Sequence, residues 1–120
     1  MKRKNCCPIA QALGVLGDKW SLIVLRDVIF GKKRHFNDLL ASPEKISTNI
    51  LANRLKTLQE ESLLCCCVDA ENRRSKIYTP TEKAQDLVPV LVELYKWGEK
   101  YNDEADKVDN PSQAEPFLGA

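Results

Sequence analysis

Residues 48–60 restrict the choice of fold more than any other segment, because their apolar and polar side chains separate at helical spacing. The side expected to be buried carries Ile50, Leu51, Leu55 and Leu58. The opposite side carries Asn49, Ala52, Asn53 and Lys56. Ser47 or Thr48 can cap the first turn through its hydroxyl. We therefore expect a helix that is anchored on one side and exposed on the other.

Two short β-prone runs after this helix predict a hairpin. Residues 63–68 and 77–79 flank the polar, turn-rich loop 69–75. Thr81 opens a last helix that is expected to continue to about Ala105, with Pro89 kinking it or weakening its first turns.

Three more helices are predicted upstream. The first covers residues 4–17, with Pro8 suited to a first helical turn. Asp18 can cap a second helix that begins near Lys19 and ends at Gly31. A short third helix over 36–40 is followed by a turn at 41–45.

The predicted elements follow the order of a winged helix-turn-helix: helix, helix, short helix, turn, helix, hairpin, helix. We therefore predict a mainly α fold with a small β-hairpin wing. Residues 1–106 would form one DNA-binding and dimerisation domain, and 107–120 a flexible C-terminal tail. A chain of 120 residues can close a single modest core.

This layout predicts a double-stranded DNA ligand, because a B-DNA major groove admits one α-helix and exposes base edges to its side chains. Asparagine can pair with adenine, and lysine with guanine or a phosphate. The predicted contacts of the recognition helix are Ser47, Thr48, Asn49, Asn53, Arg54 and Lys56. Those of the wing and the phosphate backbone are Arg34, Arg73, Arg74 and Lys76, with Lys32 and Lys33 beside Arg34.

Charge and hydropathy place few further limits on the function and location of the protein. The net charge is +1, but residues 1–101 carry an excess of five positive charges and the remainder is acidic. A basic body suits a partner rich in phosphate, although many other domains share it. No segment approaches the ~20 apolar residues of a membrane span, and no secretory signal is present, so a cytoplasmic protein without a membrane partner is expected.

The last helix carries more apolar side chains than a small core needs: Leu87, Val90, Leu91, Leu94, Trp97 and Tyr101. Such a wide face agrees with the homodimer that the family resemblance given below implies, and the interface expected on this helix is Leu87, Leu91, Leu94, Trp97 and Tyr101. In the alternative interpretation, Trp97 and Tyr101 cover the core of their own protomer.

The five cysteines lie in two runs, at positions 6–7 and 65–67, which suits free thiols better than a disulfide framework. Cys7 precedes Pro8 at a helix start, where the helix dipole favours the thiolate. It is either a redox or electrophile switch or a small residue that begins a helix.

Cys65 and Cys67 share one strand face, and with His35 or Cys6 they could hold zinc or copper. The sequence lacks the cysteine spacing of structural zinc sites, so the favoured interpretation is that these cysteines are small apolar residues that fill a strand. We predict no cofactor and no metal.

The chain resembles the HxlR-type transcriptional regulators, which are related to the MarR-like winged helix proteins. The matching residues are Cys7-Pro8, Gly17-Asp18-Lys19-Trp20, Leu25-Arg26, Gly31, Arg34-His35-Phe36-Asn37-Asp38-Leu39, Ile46-Ser47, Leu51, Arg54-Leu55-Lys56, Leu58, Tyr78-Thr79-Pro80-Thr81 and Trp97-Gly98. They extend over roughly residues 6–98.

The resemblance implies a homodimer on a palindromic operator, with the first and last helices forming most of the dimer contact. It also implies that an N-terminal cysteine such as Cys7 senses quinones, aldehydes or disulfide stress in some members. Two departures stand out. Ser62 replaces a glycine before the first wing strand, which predicts a slightly strained turn, and the run 65–67 replaces side chains that are often polar or basic.

Two other functions compete with a DNA-binding regulator. A protein-interaction or dimerisation module could share the fold without DNA affinity, and steep salt dependence of duplex binding would separate the two. A cysteine-dependent enzyme needs a base held beside its thiol, and one histidine without a fixed partner gives that hypothesis little support. We therefore predict a regulator that is not an enzyme, with its small-molecule effector undetermined.

Overall fold

The computed structural model describes residues 7–102 and contains six helices and two strands within them. The elements in chain order are α1 (Pro8–Leu16), α2 (Lys19–Ile29), α3 (Phe36–Leu40), α4 (Thr48–Glu60), β1 (Leu64–Val68), β2 (Lys76–Pro80), α5 (Glu82–Gln85) and α6 (Val88–Tyr101). This order confirms the mainly α fold with a two-stranded wing. The predicted tail 107–120, the first helix before residue 7 and the last helix beyond residue 102 lie outside the described residues.

Side-chain caps define where three of the helices, α2, α4 and α5, begin. The Asp18 carboxylate accepts a hydrogen bond from the Ser21 amide at 2.9 Å, which starts α2. Ser47, rather than Thr48, caps α4, and its hydroxyl accepts from the Ile50 amide at 3.2 Å. The Thr81 hydroxyl does the same for α5. Each cap satisfies an amide that would otherwise lack a partner in the first turn.

The core lies between α2, α4 and the hairpin. Its largest fully buried apolar side chains come from α2, α3 and α4: Leu25, Val28, Leu39, Leu51 and Leu58. Burial of these side chains stabilises the fold by about 1.5–3 kcal/mol each. Leu63, Leu64 and Tyr78 extend the core into the hairpin. The core therefore fixes α4 against the rest of the domain through one face only.

The wing is an antiparallel pair in which Leu64 lies opposite Pro80 and Val68 opposite Lys76. The Tyr78 amide donates to the Arg34 carbonyl at 2.8 Å, so the chain before α3 runs beside β2. This bond attaches the hairpin to the helix-turn-helix.

Ser62 has a φ of 64°, in the left-handed region that glycine occupies most easily. The strained turn predicted before β1 is therefore confirmed. The turn is held from both sides: the Thr81 hydroxyl donates to the Ser62 carbonyl at 2.7 Å, and Lys83 Nζ donates to the Glu61 carbonyl at 2.7 Å.

Two predictions about the helices were wrong. Ile50, predicted to be buried, is 37% exposed, because it stands in the first turn of α4 at the edge of the core. The single last helix is instead two helices, α5 and α6, separated at residues 86–87. Pro89 lies in the first turn of α6, where its missing N–H costs no helical hydrogen bond. The proline thus begins a helix instead of kinking one.

Within residues 7–102, every helix falls short of the length and apolar character that crossing a membrane would require.

Candidate nucleic-acid interface

The exposed face of α4 carries the polar side chains predicted to read DNA. Asn49, Asn53 and Lys56 are all exposed, while Leu51 and Leu55 on the other side are buried. Ser47 and Thr48 are exposed at the N-terminal end of the helix, although the Ser47 hydroxyl is already used for the cap. Amide and ammonium groups can thus approach a base edge without uncovering the core.

The turn before α4 is locked by an ion pair with α2. Arg26 donates to both carboxylate oxygens of Glu44, at 2.8 and 2.9 Å, and Ser42 donates to the same carboxylate. These hydrogen bonds, chiefly those from Arg26, lower the pKa of Glu44 to about 2. Arg26 also contacts the buried Asp27 at 2.8 Å. The network fixes how α3 leads into α4.

Arg54 belongs to a structural contact as well as to α4. Its Nη1 lies 2.9 Å from Asp18 Oδ2, and its side chain also donates to Asn53 Oδ1. Burial alone would raise the pKa of Asp18, but hydrogen bonds from Ser21 and the charge of Arg54 lower it overall. Arg54 thus positions α4 against the start of α2, a role that sequence reasoning missed.

A shallow open depression lies where the start of α2 meets α4. It is lined by Asp18, Trp20, Asn49, Ile50, Asn53 and Arg54. The Nζ atom of Lys19 sits 4.6 Å from the centre of the Trp20 ring beside it. The depression belongs to the same surface as the predicted base-reading residues and is too open to enclose a small molecule.

Arg34 is used mainly within the protein. Its Nη1 donates to the carbonyl oxygens of Val28 and Lys33, which leaves the rest of the guanidinium for a phosphate. Lys33 Nζ lies 3.9 Å from Asp27, while Lys32 is exposed.

The wing loop presents its basic residues to solvent. Arg73, Arg74 and Lys76 are exposed between and at the start of the strands. The loop is closed by a hydrogen bond from the Asp69 amide to the Ser75 carbonyl at 2.9 Å. His35 Nε2 lies 3.3 Å from Asp69 Oδ2, which connects the loop to the start of α3. The histidine therefore has a structural partner.

Cys7 occupies the N-cap position of α1 and is exposed. Its sulfur does not form a side-chain cap hydrogen bond, but the Ala10 and Ile9 amides in the first turn lower the pKa of the Cys7 thiol. An exposed thiol with a lowered pKa forms its reactive thiolate more readily.

The two terminal helices of the described chain expose apolar side chains. On α6, Leu94, Trp97 and Tyr101 are 48%, 67% and 63% exposed. The Trp97 and Tyr101 rings are in contact in a tilted arrangement, with centroids 5.4 Å apart. Ile9 and Leu13 on α1 are exposed too. We call these five residues the terminal apolar surface.

Two residues predicted for the dimer interface face the protomer's own core. Leu91 is only 8% exposed, and the half-buried Leu87 packs against the core cluster. Leu91 can therefore contribute little area to a second chain. The alternative in which Trp97 and Tyr101 cover their own core does not match their exposure. Val90 on the same helix is 45% exposed and can contribute area to a second chain.

The four cysteines that the structure describes are free thiols. Cys65 and Cys67 are exposed on β1, and Cys66 between them faces Tyr78 across the strand pair. Burial, together with the Cys66 thiol, raises the pKa of Tyr78. Among residues 7–102, no group of three or more histidine, cysteine or acidic side chains is arranged to hold a metal ion.

Comparison with known proteins decides the family. The family model described as HxlR-like helix-turn-helix matches residues 15–106. The chain belongs to the HxlR-like helix-turn-helix family. It is therefore a DNA-binding helix-turn-helix transcriptional regulator, and the resemblance described from the sequence is confirmed.

Two similar proteins come from Bacillus subtilis (strain 168). The uncharacterized HTH-type transcriptional regulator YdeP is 34% identical over 109 residues, which cover 91% of this chain and 84% of that protein. The HTH-type transcriptional regulator YodB is 30% identical over 108 residues, which cover 90% of this chain and 96% of that protein. Both are named as regulators, and neither name indicates an enzyme.

Solved structures of two similar regulators have the same fold. The redox regulator HypR in its oxidized form has a TM-score of 0.71 at 26% identity and covers 81% of this chain and 99% of its own. Quinone-bound YodB from B. subtilis has a TM-score of 0.63 at 28% identity and covers 79% of this chain and 100% of its own. These likenesses support the winged helix assignment.

Proposed function

We propose that this HxlR-like regulator acts as a homodimer on a palindromic operator, with α4 of each protomer in the major groove. The observation that carries the proposal is the separation of faces on α4. Leu51, Leu55 and Leu58 hold the helix in the core, and Asn49 and Asn53 stay exposed. Helices with this separation insert into the groove and contact base edges.

The wing supports the proposal through charge. Arg73, Arg74 and Lys76 are exposed on a hairpin that a backbone hydrogen bond attaches beside α3. Phosphate contacts from such side chains fix the register of a protein on DNA without reading sequence. We assign the free part of the Arg34 guanidinium to the same task.

The terminal apolar surface supports the dimer. A second copy that covers Leu94, Trp97 and Tyr101 would remove three large exposed side chains from water. Two-fold symmetry of the protein would then require two half-sites about 34–36 Å apart, or a multiple of this spacing. The proposal places the protein in the cytoplasm, which holds the bacterial chromosome.

Footprinting on the DNA immediately upstream of its own gene tests this function. We expect two protected segments related by a two-fold axis and separated by one turn of the duplex or a multiple of it. A single unsymmetrical footprint would contradict the dimeric arrangement. No protection at low ionic strength would contradict operator binding and favour the protein-interaction module.

We further propose that Cys7 makes this regulator responsive to electrophiles such as quinones. The support is its exposed N-cap position, its lowered pKa, and the likeness to a redox regulator and to a quinone-bound regulator. The thiol proton leaves to solvent, and the thiolate forms an S–C bond with an electron-poor ring carbon. The electron pair of the ring moves to a carbonyl oxygen, which takes a proton from water. The added group would then shift α1 and change the spacing of the two α4 helices.

A Cys7→Ser variant tests the switch, with Cys66→Ser as a matched thiol control. After quinone treatment, we expect mass spectrometry to find the adduct on Cys7 and operator binding to weaken in the wild type and in Cys66→Ser. Binding by Cys7→Ser should not change. An equal response of wild type and Cys7→Ser would exclude Cys7 as the switch.

A further inference from the structure

Cys65 and Cys67 form a pair of thiols that the proposed function does not use. They stand two positions apart on β1, and both are exposed. Alternate residues of a strand share one side of the sheet, and Cys66 between them points to the opposite side, toward Tyr78. Their cross-strand neighbours, Thr79 and Ile77, carry no group that competes for a thiol.

The strand spacing decides which bond the pair can make. Residues two apart on a strand have Cα atoms roughly 6.6 Å from each other, close to the upper limit of about 6.8 Å for a disulfide. A metal ion reaches further, because metal–sulfur bonds of about 2.3 Å let two sulfur atoms lie up to roughly 4.6 Å apart. A bridging ion therefore suits the extended strand better than an S–S bond.

We propose that Cys65 and Cys67 bind one soft monovalent metal ion, of the Cu(I) class, between their two sulfur atoms. Thiolates select soft ions, and Cu(I) is among those they prefer. Zinc is a poorer fit, because its structural sites take four ligands and the pair offers two. On binding, each thiol releases its proton to solvent and two S–Cu bonds form. No electron is transferred, and copper remains monovalent.

The site differs from the Cys7 switch in position and chemistry. Cys7 is one thiol at a helix start, whereas the pair lies on the outer side of the wing. The metal site does not depend on DNA binding, so its test can use the protein alone. It also does not require movement of the core, since both side chains are already exposed.

The test is anaerobic titration of the reduced full chain with Cu(I) in competition with bicinchoninate, a chelator whose Cu(I) complex is coloured. Cys6→Ser and Cys7→Ser are combined as the background, which leaves the run 65–67 as the only thiols. We expect this background to hold about one copper per chain. Changing Cys65 or Cys67 to Ser should weaken copper binding at least about a hundredfold, because the second sulfur no longer acts at high local concentration.

Cys66→Ser is the matched control, and its copper affinity should stay within about threefold of the background. Far-ultraviolet circular dichroism checks that each variant keeps its helices. Unchanged affinity in Cys65→Ser or Cys67→Ser would overturn the proposal. So would an equal loss in folded Cys66→Ser, or a stoichiometry of half a copper per chain, which would indicate an ion shared between two chains.

Discussion

Arg54 Nη1 lies 2.9 Å from Asp18 Oδ2, and this ion pair joins α4 to the N-cap of α2. The same carboxylate caps α2 by accepting from the Ser21 amide at 2.9 Å and from the Ser21 hydroxyl at 2.7 Å. One side chain thus starts a core helix and orients α4, the helix that we propose reads DNA. The orientation of α4 therefore depends on a residue at the start of α2, 36 positions before Arg54.

Asp18→Ala should lower the free energy of unfolding by about 1–2 kcal/mol, because it removes an N-cap and leaves Arg54 without its partner. Asp18→Asn keeps a cap acceptor and loses only the ion pair, so its loss should stay below about 1 kcal/mol. Urea unfolding measures the loss of unfolding free energy in both variants. Equal stability of Asp18→Ala and wild type would show that the cap and the pair contribute nothing.

Acid should weaken the fold through Glu44. Its pKa of about 2 lies below the ordinary value of 4.5, so the ionised group stabilises the folded state. That contribution is complete above the ordinary pKa and is lost as the pH falls from 4.5 through about 2. Unfolding free energies measured over this range should fall more steeply for wild type than for Glu44→Gln. Identical slopes would contradict the assignment to the Arg26 pair.

Glycines 14 and 17 offer a matched pair of alanine substitutions. A Cβ on Gly17 would lie 2.4 Å from the Leu13 carbonyl oxygen, whereas a Cβ on Gly14 has no atom within 4 Å. We expect Gly17→Ala to lower the free energy of unfolding by about 2 kcal/mol. Gly14→Ala should raise it by about 0.5–1 kcal/mol, because alanine favours the helix. Thermal and urea unfolding would reveal the opposite signs, and equal effects would contradict the close approach at Gly17.

Trp97→Glu tests the terminal apolar surface. A buried, unpaired carboxylate in the dimer contact should drive dissociation, so the variant should sediment as a monomer at a concentration where the wild type is a dimer. Glu99→Ala, on an exposed position of the same helix, should leave the dimer intact. A dimer that survives Trp97→Glu would place the contact elsewhere.

Local sequence signals predicted most of the fold, and long-range contacts account for the misses. Ser47 and Thr81 could be recognised as caps because a hydroxyl before a helix acts on the next few residues. Ile50 has the spacing of a core residue, but its exposure depends on where α4 leaves the core, which helical period alone does not reveal.

For the candidate site, too, local features could be predicted from the sequence and long-range contacts could not. The exposure of Asn49 and Asn53 was predicted from spacing within α4. The pairing of Arg54 with Asp18 joins positions 36 residues apart, and no local signal indicates it. Leu91 was assigned to a dimer contact because an apolar side chain on a helix does not reveal whether its own core or another chain will cover it.

The most direct test of α4 as the base-reading element compares duplex binding by wild type and by Asn49→Ala/Asn53→Ala in fluorescence anisotropy. The operator from footprinting and a scrambled duplex are titrated at equal salt concentration. We predict that wild type prefers the operator, and that the variant loses about 1–3 kcal/mol of that preference per asparagine while its binding to the scrambled duplex is unchanged. A variant that keeps the full preference, or a wild type that binds neither duplex at low ionic strength, would contradict the account.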